Sequence, residues 1–218
     1  TTKNTQTKAM LQTVHKNATR LSTLVHQIID FRDIGPEKVE LALSQLEIVE
    51  FVHSIIAVYQ ENADTKSVTI ELITNLKELY MEVDPLKLES IINNLLSNAL
   101  KFTPEGGTVI LAVSLIEGEK PKIHIEVKDT GVGISNEDIN KIFKPFALSH
   151  QDLHGQMGGS GVGLTIARAI VEKHQGTISV RRREPHGTCF SIDLPWRYDK
   201  CYEMAVQGTL DESEDAVD

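Results

Sequence analysis

Asn94, Asn98 and Lys101 are spaced i, i+4 and i+7, so a helix carrying them brings two carboxamides and an ammonium into one narrow strip. A carboxamide oxygen is a hard neutral ligand for Mg2+, and an ammonium is a point charge for phosphate. The strip therefore suits a triphosphate and its metal, and equally the wet side of an ordinary surface helix. Asp129 closes a strand-like stretch and is followed by Gly131 and Gly133. A buried carboxylate at a strand end accepts a hydrogen bond from an exocyclic amine such as that of adenine. Glycines beside it let backbone approach a flat ring, although Asp-x-Gly is also frequent in plain turns. Gly159, Gly161 and Gly163 lead directly into a helix, whose free N–H groups and dipole suit phosphate; a flexible loop before a helix has the same composition. Neither glycine stretch has the spacing of a P-loop or of a dinucleotide-binding turn.

The elements that must position these residues can be read in order. Ile91, Ile92, Leu95, Leu96 and Ala99 make the apolar face of the helix that carries the strip, and Asp84-Pro85 opens it as an N-cap acid followed by proline at N1. Upstream, Ile48, Phe51, Val52, Ile55, Ile56 and Tyr59 mark a helix ending near Asp64. Val68, Ile70 and Leu72 alternate as a strand, Tyr80 to Val83 reads as another, and residues 37–46 as a connecting strand or loop. Downstream, two long strands are expected at Thr108 to Ile116 and Lys122 to Lys128, a short helix at Glu137 to Phe143, and a patternless segment over 144–158. A helix running to about His174 and strands Thr177 to Arg183 and Thr188 to Leu194 close the series. Mixed helices with a largely antiparallel sheet predict an α/β fold, a two-layer α+β sandwich with helices on one face.

Before this domain, residues 8–34 carry Leu11, Val14, Ala18, Leu21, Val25 and Ile28 at alternating spacings of three and four, the seam of a bundle or coiled coil. Leu24 and Phe31 widen the stripe, so more than one neighbouring helix is needed to cover it. Gly35-Pro36 stops the helix. Net charge is −9, which argues against a broad nucleic-acid-binding surface. No apolar run approaches the roughly 18 residues of a membrane span, and Cys189 and Cys201 suit a reducing cytosol. The last eight residues carry five acids and no base, a solvated tail or linker.

The strip with its following Ala99, Phe102 and Thr103, then the Asp129–Ile134 turn, then Phe143 and Phe146, then Gly159 to Leu164, in this order, resembles the ATP-binding domain of two-component sensor histidine kinases. That domain is part of the wider gyrase, Hsp90, histidine kinase and MutL superfamily. The likeness covers about residues 46–196. Leu24 to Gly35 is similar to the end of the dimerisation bundle in Bacteroides-type hybrid sensors. The resemblance implies ATP and Mg2+ as cofactors, with Asn98 on the metal, Lys101 on a phosphate and Asp129 on the adenine amine. It implies that Gly131 and Gly133 shape the base pocket, that Gly159, Gly161 and Gly163 line the phosphates, and that Thr188 lies near the base. Asn94, Phe102 and Leu164 complete the nucleotide-binding set, and Phe143 and Phe146 anchor a lid.

Superfamily members that hydrolyse ATP place a Glu general base where this chain has Asn94, an amide that takes no proton near neutral pH. The site thus resembles one that holds ATP for another acceptor. The chain departs from the family at Leu148, where a basic residue is common, and at Gln175, where a glycine is common. It also lacks the phosphoacceptor motif, since none of its eight histidines is followed by Asp or Glu. His15 and His26 are weak candidates on the bundle helix, and His150 and His154 could stand in for the missing lid base. No catalytic residue is therefore assigned within the chain. The resemblance implies three parts: residues 1–36 as half of a dimerisation bundle, 37–198 as the kinase domain and 199–218 as the tail. It further implies a homodimer through the first helix, a response regulator or fused receiver domain as partner, and the cytosolic part of a membrane-anchored sensor. A degenerate nucleotide-binding scaffold and a serine kinase of the same superfamily are the competing readings.

Overall fold

The computed structural model describes residues 40–147 and 161–197. The bundle seam, the acidic tail, Leu148, His150, His154 and Gly159 lie outside the described residues. Two helices and five strands come first in chain order: β1 (Ser44–Glu47), α1 (Ile48–Thr65), β2 (Thr69–Thr74), β3 (Tyr80–Val83), α2 (Pro85–Phe102), β4 (Thr108–Ile116) and β5 (Lys122–Asp129). The single-turn α3 (Asn136–Ile139), then α4 (Gly163–Lys173), β6 (Thr177–Arg182) and β7 (Thr188–Pro195) complete the fold. The large sheet has the order β2-β4-β5-β7-β6, with β2 parallel to β4 and every other pair antiparallel. β1 pairs antiparallel with β3 in a separate small sheet.

Alternation makes the main sheet two-sided. Along β5, Ile123, Ile125 and Val127 are buried under the helices, while His124, Glu126 and Lys128 are only half-buried on the opposite face. Val109, Leu111 and Val113 on β4, and Phe190, Ile192 and Leu194 on β7, extend the same apolar face. α2 meets it with Leu88, Ile91, Ile92, Leu95, Leu96, Ala99 and Leu100, and α4 with Ile166, Ala167, Ile170 and Val171. Each such aliphatic side chain taken wholly from water contributes about 1.5–3 kcal/mol.

α2 is fixed at both ends. Asp84 Oδ1 accepts from Lys87 N–H at 3.1 Å and Oδ2 from Ala42 N–H at 2.9 Å, while Pro85 occupies the first turn. The Asp84 N–H donates to His174 Nε2 at 3.2 Å, and His174 Nδ1 lies 2.9 Å from Ile170 O, so this histidine ties the start of α2 to the end of α4. At the other end Thr103 Oγ1 donates to Ala99 O at 2.7 Å, and Lys66 Nζ reaches Leu100 O at 2.9 Å.

One expectation changes, and one open alternative is resolved. The helix expected from Glu137 to Phe143 stops at Ile139, after which Lys141 and Ile142 N–H groups both donate to Asp138 O and the chain proceeds through turns to Pro145. Residues 37–46 contain a strand, β1, whose partner β3 lies outside the main sheet.

Candidate functional site

Asp129 is the fourth term of the alternation that begins with Ile123, so the pleat itself turns its carboxylate to the core side. It is 3% exposed. Its Oδ1 accepts from Gly131 N–H at 2.8 Å and from Thr188 N–H at 3.1 Å. Burial pushes its pKa above the usual carboxylate range, against the downward pull of the Gly131 and Thr188 bonds and of the Arg183 charge. A carboxylate held this way is a rigid acceptor whose charge has been kept out of water.

The walls around Asp129 are backbone. A Cβ on Gly131 would stand 2.5 Å from Phe102 O, and the Val132 N–H donates to that same carbonyl at 3.4 Å. The end of α2 thus abuts the turn after β5. Gly133 takes φ +77°, and a Cβ there would lie 3.3 Å from Gly187 O, in the turn between β6 and β7. Thr188 is buried next to it. Arg183 from the same turn donates through Nη1 to Asp129 O at 2.9 Å.

The strip on α2 faces the start of α4. Asn94 Nδ2 donates to Ser90 O at 2.8 Å, which leaves its carboxamide oxygen against Gly163, where any Cβ would collide with it. Asn98 is half-buried one turn further on. Lys101 holds its Nζ 4.4 Å from the centre of the Phe102 ring. α4 begins with Val162 at its N-cap, and that side chain supplies no capping hydrogen bond. Gly161 has φ +67°, and its carbonyl accepts from Phe146 N–H at 2.9 Å. Phe143 packs edge-on against Phe190 with ring centres 6.4 Å apart, and its carbonyl accepts from Thr165 Oγ1 at 3.2 Å. Phe146 is exposed, with φ +59°. Leu164 is half-buried in the first turn of α4.

The fold therefore brings Asp129, Gly131, Gly133 and Thr188 to one place, and Asn94 against Gly163. The strip with Asn98 and Lys101 runs along α2 toward Phe102, whose carbonyl joins the two groups. The donor set of neutral amide oxygens beside an uncapped helix start fits a hard divalent cation carried by phosphates. Sequence reading did not single out Arg183. Its signal is faint: the third of three consecutive arginines, at the point where a strand gives way to a Pro-His-Gly turn.

Residues 83–198 match the model of the family described as histidine kinase-, DNA gyrase B-, and HSP90-like ATPase. A histidine kinase of Formosa agariphila is 34% identical over 188 residues, 85% of this chain and 14% of its own length. The sensor histidine kinase WalK of Bacillus subtilis is 32% identical over 86% of this chain and 30% of its own length. The chain thus spans less than a third of either curated relative. Among solved structures, full-length ShkA in complex with AMPPNP superposes with a TM-score of 0.76 at 24% identity, over 88% of this chain and 39% of its own. The mycobacterial sensor histidine kinase MprB gives 0.62 at 25% identity, over 72% of this chain and all (100%) of its own. Histidine kinase ThkA in complex with the response regulator TrrA gives 0.68 at 24% identity, over 84% of this chain and 49% of its own.

Proposed function

Because the chain belongs to the family of histidine kinase-, DNA gyrase B-, and HSP90-like ATPases, we propose that residues 37–198 are the ATP-binding catalytic core of a two-component sensor histidine kinase. It passes the γ-phosphate of ATP to a histidine outside this chain. The observation that carries the reading is the buried Asp129 carboxylate, locked by Gly131 and Thr188 N–H groups between walls of glycine backbone. A flat base with an exocyclic amine at its 6-position, as adenine has, matches that acceptor and those walls; guanine, with a carbonyl at that position, does not.

The roles of this chain's residues follow from where they stand. Asp129 reads the amine, with Gly131, Gly133 and Thr188 shaping the base pocket and Phe102 supplying the carbonyl behind it. Gly159, Gly161, Gly163 and Leu164 bring the uncapped start of α4 to the phosphates. Lys101 leaves the Phe102 ring to meet a phosphate, and Asn98, supported by Asn94, presents a carboxamide oxygen to the cation. Mg2+, when bound, spreads the charge of the triphosphate. Asn94 supplies no base for water, so the site orients ATP for a separate acceptor, and transfer rests on positioning and charge neutralisation.

Residues 1–36 belong in this reading to the second helix of a dimerisation bundle, and 199–218 to a linker. The partners are a second copy of the chain through that helix and a response regulator or fused receiver domain. The setting is cytosolic, below a membrane anchor elsewhere in the protein; among the described residues no helix is long and apolar enough to cross a membrane. Calorimetric titration with Mg·ATP and Mg·GTP tests the reading. Adenine binding with GTP far weaker is expected; equal affinities would sink the assignment of Asp129.

A further inference from the structure

We propose that Arg183 is a positioning residue for the base-reading carboxylate: from the turn between β6 and β7 it holds the end of β5 and so fixes where Asp129 presents its oxygens. The inference rests on the ATP reading above and goes beyond it in assigning the turn a part in base recognition. Asp129 is gripped by this one turn at two points. Arg183 Nη1 donates to the Asp129 carbonyl at 2.9 Å, and Thr188 N–H donates to its carboxylate at 3.1 Å. The turn between these two residues is closed by Arg183 N–H on Gly187 O at 3.0 Å. Gly187, at φ +110°, lies so close to the Asp129 carbonyl that a Cβ would overlap it. The carbonyl sits where the ladder ends, and a buried carbonyl requires a donor. A guanidinium meets that requirement and also sets a full positive charge beside a carboxylate that burial alone would drive toward protonation.

The groups around Asp129 leave Arg183 as the charge to test. From its own loop and from β7 it meets the N–H groups of Gly131 and Thr188 and the Thr188 hydroxyl. On α2, Lys101 rests on the Phe102 ring. Glu126 and Lys128 pair with each other on the opposite face of β5, and His186 is exposed in the turn. The neighbouring Arg181 is engaged with Glu126 at 3.1 Å, a different partner from that of Arg183.

The experiment compares wild type, Arg183→Met and Arg183→Lys in two measurements. Carbon-13 NMR titration of the Asp129 carboxyl in the nucleotide-free protein should show its pKa rising further in Arg183→Met and returning toward wild type in Arg183→Lys. Calorimetry with Mg·ATP from pH 5 to 8 should show Arg183→Met binding about three- to tenfold more weakly at pH 8, the scale of one charge-assisted bond acting indirectly. Its loss of affinity on acidification should begin at a higher pH than in wild type. Arg183→Lys, which keeps the charge, should recover the wild-type pH profile. An unchanged Asp129 titration together with a wild-type ATP profile in Arg183→Met would overturn the proposal while leaving the ATP reading intact. A wild-type protein that binds no ATP at any pH would instead remove the ATP reading and this proposal with it.

Discussion

In the proposed reading, Asp129 serves recognition at the expense of the fold. Its folded pKa is raised by burial, so the stability it contributes is fully present below its unfolded value and is lost as pH rises through the folded value. In its ionised form the side chain therefore opposes folding. Asp129→Asn keeps an oxygen for the Gly131 and Thr188 N–H groups and removes the charge. The substitution should leave the nucleotide-free melting temperature equal or higher, while weakening Mg·ATP by roughly 1.5–3 kcal/mol, the worth of a hydrogen bond to a charged group. Parallel thermal melts and ATP titrations check both signs. Gln175 poses the converse case. It stands just past α4 with φ +62°, its N–H on Glu172 O and that of Gly176 on Val171 O, a helix ending that favours glycine. The left-handed conformation costs a side chain about 1 kcal/mol, and the Gln175 contact with Arg197 is exposed. Gln175→Gly should therefore raise the melting temperature without altering ATP affinity.

At the scale of the element, the open face of the sheet is tied by charge as its other face is by hydrocarbon. Burial would raise Glu126, but bonds from Lys128, Cys189 and Arg181 outweigh it and hold its pKa at about 2. A lowered pKa gives stability that is present above the unfolded value of 4.5 and lost as pH falls toward about 2. Glu126→Gln should accordingly destabilise the domain at neutral pH, on the order of 2 kcal/mol, and flatten its acid unfolding between those values. Denaturant titrations at pH 3 and 7 measure the difference. The elements that carry this network were legible because their patterns are long. The nine residues expected as a long strand, Thr108 to Ile116, form β4, and β5 differs from its expected range only by gaining Asp129. The Asp84-Pro85 start of α2 and its buried face are as the spacing implied. Short pieces gave less. Four residues of β1 carry too little periodicity to choose between strand and loop, and nothing local names β3 as the partner. The resemblance named Asp129, Gly131 and Thr188 as site residues, whereas Arg183 meets Asp129 through a contact 54 positions away in sequence, which no local pattern encodes.

For the whole molecule, the proposed activity needs parts that this domain does not hold. The chain should bind Mg·ATP yet fail to label itself from radioactive γ-phosphate. Joining it to an upstream segment with a histidine-acid motif should restore an acid-labile label. Robust labelling of the present chain, abolished by His15→Ala or His26→Ala, would move the acceptor into residues 1–36. The apolar seam of Leu11, Val14, Ala18, Leu21, Val25 and Ile28 should drive self-association, and sedimentation of the chain with and without residues 1–36 measures it. How such a domain is attached follows from β3. One edge of β3 pairs with β1, where the chain enters, and Glu82 N–H donates to Arg197 O, where the chain leaves. Entry and exit are thus about two strand spacings apart, roughly 10 Å. The domain can be spliced between two other segments without prising them apart, and its own ends can be stitched together. A circular permutant of residues 40–197, closed by a short glycine linker and reopened at the exposed Glu117–Lys120 bend, should fold and bind ATP as the parent does.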